Sequence, residues 1–242
     1  MSPLEQFEIL PLLQLPFLPN ITNSCLIIFL GGIFLLIYIN FNKKGLIIPT
    51  RFQQIFESFY SSTIELVYLN IGKQGKYFFP LIFIIFFFLL NCNLIGMVPY
   101  SFTLTSHLII TFSLALTLYI GLNIIGIKKH KLNFLNLLLP SGASIFLVPL
   151  LVPIELVSYI FRVISLPVRL FANMMAGHTL LKVIAGFVWI MVSLNSFMFL
   201  MHFIPLFLLV LLIGLELGVA IIQSYVFTIL TCMYINDALN LH

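Results

Sequence analysis

Arg169 stands among Leu166, Pro167, Val168, Leu170, Phe171 and Ala172, with no acidic residue within six positions on either side. A guanidinium at the centre of a hydrocarbon layer costs ~3 kcal/mol on insertion scales, so a charge in such a run is a candidate for function. It stays charged, with a pKa above ~12, and so can act on another group's proton without carrying one itself. Glu155, Arg162 and Arg169 are spaced seven apart, and Asn173 follows four later. Seven residues drift only about 20° around a straight helix, so all four share one face, and Glu155 to Arg169 covers about 21 Å of axis. Glu216 and Gln223 are again seven apart, with Asp237 fourteen further on. These three form a stripe about 32 Å long, close to the thickness of a bilayer's hydrocarbon core, which suits a proton or ion route. His178 lies nine residues beyond Arg169, roughly on the opposite face, and the deep acid outside its own helix is Glu216. A His–Glu pair can hold, pass and release protons near neutral pH.

Blander readings accompany these. Glu155 and Arg162 could form a structural ion pair at a helix entrance. Lys182 can snorkel and set depth, and His202 can be interfacial. His107 in a turn and His130 in a basic stretch read as solvated. Cys25, Cys92 and Cys232 are odd in number and far apart. They have neither a disulfide framework nor metal-ligand spacing and read as small buried residues. No metal site, cofactor site, phosphate loop or Ser–His–Asp set is visible.

The elements that must position these residues follow from composition. Of 242 residues, 62% are hydrophobic and 7% charged, against roughly 25% charged in an average soluble chain. That excludes a soluble globular domain and a disordered one. The long, non-alternating apolar runs exclude a barrel. The net charge of +4 is topological, since the cations gather in short loops, and no nucleic-acid partner is expected. The pattern predicts an all-α integral membrane protein of one membrane domain, 1–242. It has an outer N-terminal segment over 1–24, a first helix over 25–41 and an amphipathic surface helix over 50–69. A transmembrane hairpin over 77–127, turning around Gly96, Pro99 and Tyr100, comes next. Two overlong helices, over 143–195 and 199–237, complete it. These two either tilt strongly or break at Pro149, Pro153, Pro167 or Pro205. The basic loop 42–76 and the cluster Lys128, Lys129, His130 and Lys131 are two crossings apart, so both lie on the inner side. The N-terminus, with Glu5 and Glu8, then lies outside and the C-terminus inside.

At Ser165-Leu166-Pro167-Val168-Arg169-Leu170-Phe171-Ala172-Asn173-Met174-Met175-Ala176-Gly177-His178 the sequence resembles the arginine segment of the ATP synthase subunit a family, the stator channel subunits of the rotary Fo motor. The stretch Gly214 to Phe227, the run Asn93 to Tyr100 and the ending Tyr234 to His242 agree. His178 and Glu216 stand in the order of the mitochondrial branch. Pro167 departs from the Gly or Ala more usual there, which puts the helix geometry beside Arg169 in question. The resemblance implies two long tilted helices facing a ring of c subunits, which supply a membrane carboxylate in trans. It implies peripheral-stalk and other Fo subunits as partners, an F1 head reached indirectly, and catalytic ATP sites on other subunits. It places the chain in the mitochondrial inner membrane, with the N-terminus in the intermembrane space and the C-terminus toward the matrix. It implies that Arg169 releases the rotor proton and separates two half-channels. His178, Glu216, Asn173 and Gln223 would form the outer one, and Glu155 and Asp237 the inner one, with Arg162 tuning the exit. Gln223 either lines a channel or hydrogen-bonds Arg169. The competing functions are a secondary transporter of a small anion and a non-transporting scaffold subunit of a respiratory complex.

Overall fold

The computed structural model describes residues 5–13, 20–42, 49–98, 101–131, 134, 148–193 and 201–240. Its elements are β1 (Pro11–Leu13), β2 (Ile21–Thr22), α1 (Asn23–Asn42), α2 (Arg51–Ile71), α3 (Phe79–Gly96), α4 (Leu108–His130), α5 (Val148–Ser193) and α6 (Phe203–Leu239). Among the described residues, α1, α3, α4, α5 and α6 are the five helices long and apolar enough to cross a membrane. The fold is that of an all-α membrane protein. A small antiparallel β1–β2 pair adds to the expected plan, in strands too short for any periodicity to reveal. Lys43, Lys44, Pro99, Tyr100, the turn at 140–142, residues 143–147 and 194–200, and His242 lie outside the described residues.

α5 has 46 residues and α6 has 37, giving lengths of about 69 and 55 Å at 1.5 Å per residue. Both far exceed the ~30 Å hydrocarbon core, so keeping such apolar surfaces in lipid requires a steep incline. None of the candidate prolines ends a helix. Pro149 and Pro205 fall in first turns, where the missing N–H has no carbonyl to serve. Pro153 and Pro167 are interior, and α5 continues through both. Pro167, two residues before Arg169, leaves the Val163 carbonyl without its helical donor.

The chain divides into two compact units. One comprises residues 35–87, 108–169 and 225–242. Its core packs Leu66, Val67 and Ile71 of α2 with Ile82 of α3, Leu122 of α4, and Cys232, Ile235 and Leu239 of α6. Thr50 caps α2 by accepting from the Gln53 backbone N–H at 3.5 Å, and Gly72 takes φ 77° at its end, a conformation that favours glycine. Burial of Gln53, Thr63, Leu66, Val67 and Ile71, with Phe52 and Leu69 exposed, fits a helix lying along a surface. Tyr38 of α1 packs edge-on against Phe56 at 5.1 Å. The basic cluster is not simply solvated. Lys129 Nζ donates to the Leu239 carbonyl at 2.9 Å, and the half-buried His130 ring reaches the same oxygen at 3.0 Å. The Lys129 cation thus sits at the negative end of α6, on its Leu239 carbonyl.

The other unit comprises residues 1–34, 88–107 and 170–224. Asn93 of α3, fully buried, donates its side-chain amide to the Ala220 carbonyl of α6 at 3.1 Å. In the α3–α4 turn His107 is half-buried and stacked on Phe102 at 4.8 Å, not solvated. Burial holds its imidazole below the usual pKa. Cys92 and Cys232 are buried and free, whereas Cys25, on the first turn of α1, is exposed.

Candidate functional site

In the unit holding 170–224, α5 and α6 run antiparallel and meet at polar rungs. Asn173 Nδ2 donates to Gln223 Oε1 at 3.3 Å. Four residues along α5 and seven back along α6, Gly177 faces Glu216. A Cβ on Gly177 would lie 2.5 Å from Glu216 Oε1 and 2.9 Å from its Cδ, so only a glycine admits the carboxylate there. A cavity of about 250 Å³ opens at this point, lined by Met97, Asn173, Gly177, His178, Glu216 and apolar neighbours. His178 is only 8% exposed. Its Nε2, like Glu216 Oε2, is buried with no hydrogen-bond partner among the described residues. Buried polar atoms without protein partners call for water, and a cavity this size holds several. His178 and Glu216 thus share a chamber without bonding each other directly. Gly177 belongs to the arginine segment, yet nothing in the sequence assigns it a role; it is what lets Glu216 enter the chamber. Gly177→Ala should leave the fold intact, because the displaced atoms end a flexible side chain. It should displace the Glu216 carboxylate from the chamber, and a structure of the variant checks this.

In the unit of residues 35–87, 108–169 and 225–242, Arg162 Nη1 and Asp237 Oδ2 pair at 3.1 Å. The ion pair therefore joins α5 to α6, and the reading that paired Arg162 with Glu155 is corrected. Arg162 also lies over the Tyr234 ring, 5.4 Å from its centroid. Tyr159, one turn before Arg162, donates its hydroxyl to Asn123 Oδ1 of α4 at 2.5 Å, and its ring packs on Tyr119 at 5.2 Å. A cavity of about 20 Å³, one water in size, sits between Tyr119, Tyr159, Arg162, Tyr234 and Asp237. Sequence reasoning missed Tyr159, Asn123 and Tyr234. Polar groups one turn from Arg162 and Asp237 were the available signal. Glu155 is half-buried and has no hydrogen bond or ion pair among the described residues. It does not line the cavity beside Asp237. Arg169 is exposed and likewise without a hydrogen bond or ion pair among the described residues. A guanidinium left open on a membrane helix is available to a group from outside the chain. Among the described residues no cluster of His, Cys, Asp or Glu could hold a metal.

This set of groups can be compared with known proteins. The family model described as "ATP synthase A chain" matches residues 22–236. The chain belongs to the ATP synthase A chain family. The ATP synthase subunit a of Pylaiella littoralis is 53% identical over 246 residues, covering 100% of this chain and 99% of its own length. The subunit a of Chondrus crispus is 48% identical, covering 100% of this chain and 97% of the relative. That of Marchantia polymorpha is 48% identical at 100% and 99% coverage. All the candidate residues except Asp237 fall within the stretch matched by the ATP synthase A chain model, and Asp237 is the next residue after it.

Proposed function

We propose that two polar clusters of this chain serve as the two half-channels of a rotary proton motor, with Arg169 between their roles. Membership of the ATP synthase A chain family makes the chain the proton-translocating stator subunit of Fo. It is not an enzyme on its own, and it is a membrane protein. The observation that carries the residue-level reading is the chamber shared by His178 and Glu216, whose buried Nε2 and Oε2 have no hydrogen-bond partner among the described residues.

In this reading a proton enters from the outer side and reaches the His178–Glu216 chamber through water. Water held beside the Asn173–Gln223 pair carries it on to a carboxylate carried by a c subunit, the two amides orienting that water and bearing no proton themselves. Neutralised, that carboxyl can travel through lipid as the ring turns, because the desolvation cost of its charge is gone. On meeting Arg169 it ionises, since a nearby guanidinium favours the charged form. The released proton leaves by Asp237 and Glu155, with Arg162 holding Asp237 in place. Arg169 cannot carry the proton itself, so it keeps the two routes apart. Gln223 is assigned to the outer route, because its side-chain oxygen already accepts from Asn173. The basic loops support this direction, favouring an inner side at 42–76 and 128–131; in a mitochondrial inner membrane the N-terminus would then face the intermembrane space and the C-terminus the matrix. The peripheral stalk and F1 head are partners at one remove.

Two measurements test this. Native purification through a tag on this chain should bring a ring-forming proteolipid and an ATPase head. A lone homo-oligomer that carries a solute in vesicles would favour a secondary transporter instead. Glu216→Gln in the assembled complex should slow proton flux at least about tenfold, as expected on losing a proton-transferring group. An unchanged flux would make Glu216 structural.

A further inference from the structure

The chamber at His178 has a neighbour. A second cavity, also about 250 Å³, is lined by Gln6, Met97, His178, Leu181, Lys182 and Ala185 among others. Met97 and His178 belong to the walls of both cavities, and Glu216 to the first alone. His178 is the titratable side chain common to the two. The other shared residue, Met97, offers only a thioether and cannot relay a proton.

Gln6 comes from the far end of the sequence. It sits in a short 3-10 turn, Glu5–Phe7, and its Nε2 donates to the Ser101 carbonyl at 2.7 Å. Ser101 is itself fixed, its Oγ donating to the Ile95 and Gly96 carbonyls at 2.9 and 3.1 Å. The following residues are held by the β1–β2 pairing and by the Asn23 N–H on the Leu10 carbonyl at 3.3 Å. A terminal segment is ordered only where it is tied down. Here the tie holds the N-terminal turn against the wall of the second cavity.

We infer that the N-terminal turn Glu5–Phe7 is a working wall of the outer half-channel. Positioned by Gln6, it closes an outer vestibule from which protons reach the Glu216 chamber by way of His178. This rests on the outer half-channel reading above. In each passage the His178 ring takes a proton on one nitrogen from vestibule water. It gives one up from the other nitrogen to water beside Glu216, so no net proton is kept. Gln6 is a positioning residue. It touches the vestibule and carries no proton.

The test uses the whole complex in sealed inner-membrane vesicles, with Cys25→Ser removing the exposed native thiol. Leu181→Cys places a thiol in the vestibule, and Ala185→Cys serves where that variant fails to assemble. A charged, membrane-impermeant methanethiosulfonate applied from the outer side should label either thiol and thereby slow proton flux. Adding Gln6→Ala should quicken labelling about fivefold, the equivalent of the ~1 kcal/mol net worth of one hydrogen bond. Gln6→Glu fills the same space but cannot donate when ionised, and should do likewise. Labelling that ignores both Gln6 variants would overturn the N-terminal wall. Thiols that stay unlabelled at both positions while Glu216→Gln still slows flux would overturn the vestibule and leave the half-channel standing. Unlabelled thiols together with a harmless Glu216→Gln would remove the half-channel reading as well.

Discussion

Arg169→Ala yields an assembled complex that neither pumps protons on ATP hydrolysis nor makes ATP from a proton gradient. Assembly survives because Arg169 is exposed and has no hydrogen bond or ion pair among the described residues, so its removal orphans no buried group. Coupling is lost because nothing remains to ionise the arriving rotor carboxyl. Removing one preorganised electrostatic partner in a water-poor site costs ~3–4 kcal/mol, or about a hundredfold to a thousandfold in rate. Arg169→Lys recovers little, since an ammonium can lose its proton on burial and a guanidinium does not. Native electrophoresis reads assembly, and quenching of a pH-sensitive dye reads pumping. Coupled pumping at normal rate would remove Arg169 from the mechanism.

Asp237→Asn slows proton flux at least about tenfold in both directions, the scale of a lost proton-transfer group. The ion pair with Arg162 is roughly one-third exposed on each side, 38% and 36%. It therefore contributes at most ~1 kcal/mol of stability, and the variant should fold. On the proposed reading, what is lost is the group that takes up and releases a proton on the inner side. Arg162→Gln has a smaller effect, since Asp237 keeps its carboxylate. Because the two residues touch, the double variant should fall short of the product of the single effects. Normal rates for synthesis and hydrolysis in Asp237→Asn would refute its place in the inner route.

Much of the site is legible in the amino-acid sequence. Charges in an apolar run mark themselves, and heptad arithmetic puts Glu155, Arg162, Arg169 and Asn173 on one face. What spacing along one helix cannot supply is the register between two. Arg162 has an acid seven residues away on its own helix, yet its partner is Asp237, 75 residues on. The same ignorance hides Gly177, whose importance lies in what faces it, and Asn123, which reaches Tyr159 from a third helix. The two-residue and three-residue strands at the N-terminus lie below the length at which alternation carries information. His107 and His130 read as solvated because turns and basic loops usually are. Tertiary packing puts one on Phe102 and the other on the Leu239 carbonyl of α6.

The most direct test of two separate half-channels with Arg169 between them is sided thiol labelling. Glu216→Cys and Asp237→Cys, each in a Cys25→Ser background, are exposed to an impermeant reagent from one side at a time. Intact mitoplasts present the outer side, and inverted vesicles present the matrix side. The account predicts that Glu216→Cys is labelled from the outer side and Asp237→Cys from the matrix side, each alone. Labelling of either thiol from the opposite side, with Arg169 in place, would contradict it.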